Sequence, residues 1–281
     1  MSKPSRRFPV PRPFLKWAGG KGQLLGELAA RVDAIGKFGR YHEPFVGGGA
    51  LFFEMFRARL LRRYAWLSDS NRNLIDAYQG VKDDVDRVIE LLLMHKKRHS
   101  KDHYYEVRSK VPRDLLGRAA RIIYLNKTCY NGLYRENRRG EFNVPYGQYK
   151  NPTICDEENL CAVAKALKRA RIETRHFASV LDKAKAGDLV YFDPPYHPLS
   201  RTSSFTGYDK NGFNEDSQRL LAEVFGDLDK NGVKLLLSNS MTPLIQNLYK
   251  GFVIDKVYAN RPVNSRGDRR GKVCEVLVSN F

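Results

Sequence analysis

Asp188-Leu-Val-Tyr-Phe-Asp-Pro-Pro-Tyr196 decides how the rest of this sequence reads. Leu189 to Phe192 form a short apolar run, the pattern of a buried strand. Asp193 ends it, and the two prolines that follow cannot extend the ladder of a central strand. An acid, a rigid turn and an aromatic ring are thus presented together at the carboxyl end of a strand. Open α/β sheets bind their ligands there.

That grouping suits a planar base carrying an exocyclic amine, a poor nucleophile because its lone pair is conjugated into the ring. Asp193 can accept one amino hydrogen, and Pro194, which has no N–H, offers its carbonyl as a second acceptor. Two acceptors on one amino group favour a tetrahedral nitrogen, and Tyr196 can stack on the face of the base. The plainer alternative is a strand and a Pro-Pro turn in which Asp193 is a helix cap or turn residue, so the neighbouring segments must decide.

The 281 residues suit one large domain, or a core domain carrying an insertion, and 42% hydrophobic content is enough for a sizeable core. A net charge of +18 and a pI near 9.8 form the electrostatic footprint of a nucleic-acid binder. Cys129, Cys155, Cys161 and Cys274 show neither a Cys-x-x-Cys pair nor metal spacing, as in a reduced, cytoplasmic protein. No apolar run is long enough to span a membrane. Residues 1–13 are basic and Pro-rich without an apolar stretch, and read as a flexible arm instead of a signal peptide.

Next, Phe14-Leu-Lys-Trp-Ala-Gly-Gly-Lys-Gly22 lacks the upstream glycine and the Ser or Thr of a phosphate loop. It reads as a loop delivering Trp17 and Lys21 into a pocket, followed by a helix through Leu24, Leu25 and Leu28. Tyr41 to Phe53 reads as a short strand, a turn of three glycines and a helix, the glycines allowing close backbone approach to a ligand. Ala65 to Asp69 reads as a second strand, ending in an acid placed to grip ribose hydroxyls. Together these imply a nucleoside-containing cofactor.

From Asn71 to about Lys101 the period is helical, and Arg113 to Leu125 forms another helix. His95, His99 and His103 recur at helical spacing without the acid or cysteine of a ligand set, which predicts a solvated or phosphate-facing side. Residues 126–150 interleave Arg and Lys with Tyr, Asn and Gly, a composition that contacts phosphates, reads base edges and stacks on bases at once. A solvated hairpin is the alternative there; the position between two core halves favours nucleic-acid contact. Then follow a helix over Glu157–Ala170, strands over Arg171–Phe177 and Asp188–Phe192, and a polar loop over 197–213. A helix over Asn214–Asp229, a strand over Val233–Ser238 and a short helix over Met241–Tyr249 come next. Two strands, Phe252–Tyr258 and Val273–Ser279, close the chain, joined by a basic connection, Arg261–Lys272, that reads equally as a phosphate-contacting loop or a mobile hairpin.

Seven segments in this order carry a resemblance: FLKWAGGK (14–21), EPFVGGGALFF (43–53), LSDSN (67–71), YNGLYR (130–135), EFNVPYGQY (141–149), VYFDPPY (190–196) and PLSRTSSFTGY (198–208). Together they resemble the Dam-type DNA adenine-N6 methyltransferases, in particular the GATC-methylating subgroup, from Phe14 to the C-terminus. The resemblance implies an α/β fold, with a Rossmann-like methyltransferase sheet for S-adenosylmethionine that ends in an antiparallel strand. It also implies an inserted, mainly helical target-recognition domain. The corresponding division is a flexible arm at 1–13, a catalytic domain formed by 14–71 and 151–281, and a DNA-binding insertion at 72–150.

Carried over residue by residue, Trp17, Lys21, Phe45 and Gly47 line the cofactor site, Asp69 holds the ribose and Phe177 forms a wall of the adenine pocket. Asp193 belongs to that set and, with Pro194, Pro195 and Tyr196, to the catalytic set. Tyr130 wedges into the duplex, Asn131 supports the orphaned partner base and Arg135 reads the outer guanine. Leu133 and Pro145 pack against thymine, and Lys16 contacts the first base pair. Gln148 departs from the basic residue that some relatives place near flanking DNA. The implied partner is double-stranded DNA, from which adenine is flipped by a monomeric enzyme whose chemistry needs no metal ion. Asp193 favours adenine over cytosine N4, where Ser is more usual, and over protein glutamine, where Asn is. The same chemistry on another DNA sequence or on RNA adenine, and a non-catalytic DNA-binding module of the same fold, are the competing readings.

Overall fold

The computed structural model describes residues 9–17, 24–199, 213–260 and 272–281. The apolar run after Asp188 is a strand, β4 (Leu189–Phe192), with all four residues buried. Before it come β1 (Tyr41–Glu43), β2 (Ala65–Asp69) and β3 (Ala170–Thr174). After it come β5 (Lys234–Ser240), β6 (Val253–Asn260) and β7 (Lys272–Ser279). They form one sheet in the order β3-β2-β1-β4-β5-β7-β6. β1 is parallel to β2 and β4, β4 is parallel to β5, and β7 runs antiparallel to both β5 and β6. This is the mostly parallel, Rossmann-like sheet the sequence led us to expect, and its last strand is the antiparallel one. The strand order reverses between β1 and β4, so the crevice beyond their carboxyl ends is the topological switch point.

The helices are α1 (Leu25–Ile35), α2 (Ala50–Arg57), α3 (Arg72–Asp83), α4 (Val85–Lys97), α5 (Lys101–Ser109), α6 (Leu115–Thr128), α7 (Glu157–Leu167), α8 (Glu215–Lys230) and α9 (Pro243–Leu248). Short polar side chains start them. Asn71, Asp84, Ser100, Asp114, Asp156, Asn214 and Thr242 each accept a backbone N–H of the first turn, satisfying a donor that would otherwise lack an intrahelical partner. Among the described residues, no helix is long and apolar enough to cross a membrane.

The chain forms two compact units. The first holds the described residues of Met1–Gly20, Gly47–Arg59 and Asn71–Ile172; the second holds those of Lys21–Val46, Leu60–Ser70 and Glu173–Phe281. In the second unit, α8 and α9 cover one face of the sheet through Leu221, Phe225 and Ile245, against Val190, Phe192, Leu235 and Leu237. Phe177 joins this core. The expected strand over Arg171–Phe177 therefore ends earlier, at Thr174, and Phe177 opens a 3-10 turn over Phe177–Asp182. The His176 side chain caps that turn, accepting from the Ala178 amide at 3.3 Å.

The first unit is helical, with α3 and α6 crossing closely. Gly80 is what allows it, because a side chain there would collide with the Ala119 methyl. Arg121, buried on α6, donates to the carbonyls of Val107 and Arg108 at 2.9 and 2.7 Å, closing the end of α5. Arg12 exchanges backbone hydrogen bonds with the Asn159 side chain and pairs with Asp156 at 3.0 Å, which ties residues near the start of the chain to the beginning of α7.

The three histidines depart from expectation. They form neither a solvated nor a phosphate-facing side but a half-buried cluster around Tyr124 of α6. His95 Nδ1 lies 3.0 Å from His103 Nε2, and His99 Nδ1 lies 2.9 Å from the Tyr124 hydroxyl. The His95 ring stacks on Tyr124 at 4.8 Å between centroids. Burial holds the His95 pKa down to about 4, with His103 and Arg98 adding to the effect.

Candidate active site

β4 delivers its motif because side chains alternate along a strand. Val190 and Phe192 enter the apolar core, and Tyr191 and Asp193 point to the other face. The side chain of Asp193 is anchored by a Ser238 hydroxyl that donates to its Oδ1 at 2.9 Å. The Tyr191 hydroxyl sits 3.0 Å from the same Ser238 oxygen. Tyr196 donates to Glu275 Oε2 at 2.8 Å, which fixes the far edge of its ring. The Pro-Pro turn is clamped from behind: Gln218 on α8 donates to the Pro195 carbonyl at 2.9 Å, and Asn239 donates to Gln218 at 3.1 Å. Asn239 also accepts the His197 amide at 3.0 Å, so both ends of the turn are held. Pro194 is buried and Pro195 is exposed.

The acid and phenols nearby are electrostatically matched. Tyr41 donates to the buried carboxylate of Glu43 at 2.9 Å. Burial first, and then Glu43, push the Tyr41 phenol well above its ordinary value. Tyr191 is raised in the same way, by burial and then by Asp193. Tyr196 is raised by burial, Asp193 and Glu275. All three phenols thus stay protonated, Tyr41 and Tyr196 donating to carboxylates and Tyr191 lying against the Ser238 hydroxyl.

Beyond β1, Phe45 lies face to face with Phe177 at 5.2 Å, with the Phe213 ring edge-on at 5.4 Å from Phe45. Asp69 closes β2, the strand beside β1, and its carbonyl accepts the Arg175 amide at 3.0 Å. Aromatic faces and a carboxylate at a strand end are the donor set that fits the adenosine half of a nucleoside cofactor. In the first unit the glycine turn is held by Tyr78, which donates to the Gly47 carbonyl at 3.0 Å. Gly49 takes φ 66°, and a side chain there would meet the Tyr78 hydroxyl, so only glycine suits the position. Lys21 lies outside the described residues, as do 200–212 of the polar loop and 261–271 of the basic connection.

The first unit also brings Lys16 and Trp17 to the 130–149 segment. Asn126 organises this, accepting the Lys16 amide at 2.7 Å and donating to the carbonyls of Lys16 and Gly132 at 2.7 and 3.2 Å. The Trp17 ring lies 5.1 Å from Tyr134, and the Lys16 ammonium sits 4.2 Å above the Tyr149 ring. The segment's two arms meet at the bridges Cys129–Tyr146 and Glu136–Phe142. Tyr130 and Leu133 are 53% and 39% exposed, unusual for such side chains and favourable for contact with a partner. Asn131 is exposed in a left-handed conformation, φ 53°. Tyr130 donates its amide to the Pro145 carbonyl at 2.9 Å. Arg135 is exposed with its Nε donating to Asn143 at 2.8 Å. Six residues expected to touch DNA thus share one segment and its immediate neighbour.

The supporting residues were not singled out from the sequence: Ser238, Asn239, Gln218, Glu275, Glu43 and Asn126. A signal existed for two of them. Ser238-Asn239-Ser240 is a polar run ending the apolar Leu235-Leu236-Leu237, and polar residues that close a buried strand need partners.

Comparison with known proteins shows the family. The profile of the D12 class N6 adenine-specific DNA methyltransferases matches residues 17–262. The type II methyltransferase M.MjaIII of Methanocaldococcus jannaschii is 47% identical, covering 96% of this chain and 99% of its own. The type II methyltransferase M1.LlaDCHI of Lactococcus lactis subsp. cremoris is 43% identical, covering 96% and 95%. The DNA adenine methylase of Escherichia coli (strain K12) is 36% identical, covering 95% and 94%. A buried acid-tipped strand at the switch point, and a family profile spanning most of the sequence, lead to one assignment: the chain belongs to the D12 class of N6 adenine-specific DNA methyltransferases.

Proposed function

We propose that this enzyme methylates the N6 amine of an adenine flipped out of double-stranded GATC sites, acting as a monomer, and that Asp193 to Tyr196 receive the base. The observation that carries the reading is Asp193 itself, a carboxylate at the end of β4 held by Ser238 beside a tethered Tyr196. Asp193 and the Pro194 carbonyl each accept one amino hydrogen and turn the nitrogen lone pair outward. Pro195, its carbonyl clamped by Gln218, stiffens the turn. Tyr196 stacks on the base and helps offset the few kcal/mol that extrusion from the duplex costs. Since the nitrogen's proton becomes acidic on methylation, Asp193 need not be a strong base. S-adenosylmethionine, the methyl donor of the class, supplies a methyl group on a sulfonium that leaves readily. Phe45 and Phe177 receive its adenine and Asp69 its ribose, with Trp17, Lys21 and Gly47 completing the lining. The protein's contribution is chiefly alignment.

On the DNA side, Tyr130 wedges into the gap and Asn131 supports the unpaired base. Arg135 reads the outer guanine, Leu133 and Pro145 pack on thymine, and Lys16 meets the first pair. The exposure of Tyr130, Leu133 and Arg135 supports these roles. Incubation with S-adenosylmethionine and unmethylated plasmid, read by single-molecule sequencing, tests the proposal. Methyladenine confined to GATC is expected from the parent and none from Asp193→Ala. Arg135→Ala should lose roughly 1–3 kcal/mol of discrimination at the outer pair. Methylation at another sequence overturns the base-reading roles, and an active Asp193→Ala overturns the catalytic ones.

A further inference from the structure

Two hydroxyls that the chemistry above does not use stand behind Asp193. β4 and β5 run in register, Tyr191 opposite Leu236 and Phe192 opposite Leu237, so the next step along β5 puts Ser238 beside Asp193. The backbone of Ser238 is fixed from its other side too, paired with Leu277 of β7. A serine hydroxyl has one hydrogen, and the carboxylate of Asp193 takes it at 2.9 Å. In the 3.0 Å bond between Ser238 and Tyr191 the phenol is therefore the donor. Neither group is reachable from solvent: Ser238 is 0% exposed and Tyr191 is 1% exposed. The phenol keeps its proton, raised as it is by burial and by Asp193, so this pair leads nowhere as a proton path. Tyr196, bound to Glu275, adjoins the same serine hydroxyl.

We propose that Ser238, held by Tyr191, is a positioning residue for methyl transfer: it occupies Oδ1 of Asp193 and so sets the direction from which the carboxylate meets the acceptor amine. The inference rests on the reading that Asp193 accepts that amine. The terminal torsion of an aspartate is broad, and a bond to one oxygen from the middle of a sheet removes that freedom. A donated hydrogen bond also favours the ionised carboxylate. A protonated Asp193 would turn a donor toward an amine that needs an acceptor. Loss of Ser238 should therefore weaken turnover more than binding.

The full-length enzyme and its Ser238→Ala, Ser238→Thr, Tyr191→Phe and Asp193→Ala variants are compared for kcat, KM and the acid limb of the kcat profile. DNA affinity and melting temperature are followed in parallel. Ser238→Ala is expected to lose roughly ten- to a hundred-fold in kcat at nearly constant KM, with its acid limb moved to higher pH. Ser238→Thr, which keeps the hydroxyl, returns the limb to its place, and Tyr191→Phe shows the same changes in smaller measure. Where Ser238→Ala does not fold, Tyr191→Phe carries the test, because it keeps the buried ring. Parental kcat and acid limb in Ser238→Ala, beside an inactive Asp193→Ala, overturn the positioning role alone. A slower enzyme with an unmoved limb and no rescue by threonine marks a packing role and overturns it as well. An active Asp193→Ala overturns the reading beneath it.

Discussion

Tyr249 buries a hydroxyl with no hydrogen-bond partner among the described residues, inside the apolar core beneath the sheet and 5.3 Å from the Phe225 ring. An orphaned polar atom costs about 1–3 kcal/mol, and phenylalanine fills the same space without it. Tyr249→Phe should therefore stabilise the protein by about 1 kcal/mol, read as a rise in the denaturation midpoint; a fall would mean that the hydroxyl has a partner. At this scale the sequence was uneven as a guide. Asp193 and Tyr196 were legible because an acid and an aromatic flank two prolines at the end of an apolar run. Their holders were not, because Gln218, Ser238, Asn239 and Glu275 come from elements 20 to 80 residues away by numbering. Only the folded sheet brings these side chains together. Asn126, which joins Lys16 to the 130–149 segment, was hidden for the same reason.

Elements introduce a different kind of error. The spacing of His95, His99 and His103 suggested a single helical face, yet Ser100 caps a new helix between them, so the three belong to α4, its end and α5. Tyr124 of α6 then turns them inward. Their protonation carries a consequence for stability. His95, with a folded pKa of about 4, and His99, also lowered by burial and His103, titrate near 6.5 in the unfolded chain. Between those limits the unfolded state binds more protons, so the stability present above about pH 6.5 is lost as pH falls toward about 4. Helix melting followed by circular dichroism should shift to lower temperature across that window, and less steeply in His95→Gln. Identical slopes in parent and variant would refute the role of the cluster. Elsewhere the strands were well read: short apolar runs ending at an acid or a turn located every strand of the sheet, with β3 shortened because Phe177 is drawn into the core.

For the whole molecule the charge was the plainest signal. With a net charge of +18, binding to duplex DNA should release counterions, and its affinity should fall log-linearly with salt, at about 0.9 per phosphate neutralised. Fluorescence anisotropy with a labelled duplex measures that slope, and a flat line would exclude phosphate contact as the source of affinity. The sheet order carries one more consequence. β7, which follows β5 and β6 in the sequence, lies between them in the sheet and pairs with both. It also contributes Glu275, which holds Tyr196. While the chain is still leaving the ribosome, β6 has no neighbour to join and β5 shows an open edge. A premature stop ahead of β7 should therefore remove that strand, leave β6 without its neighbour in the sheet, and take away the tether of Tyr196 at a single stroke.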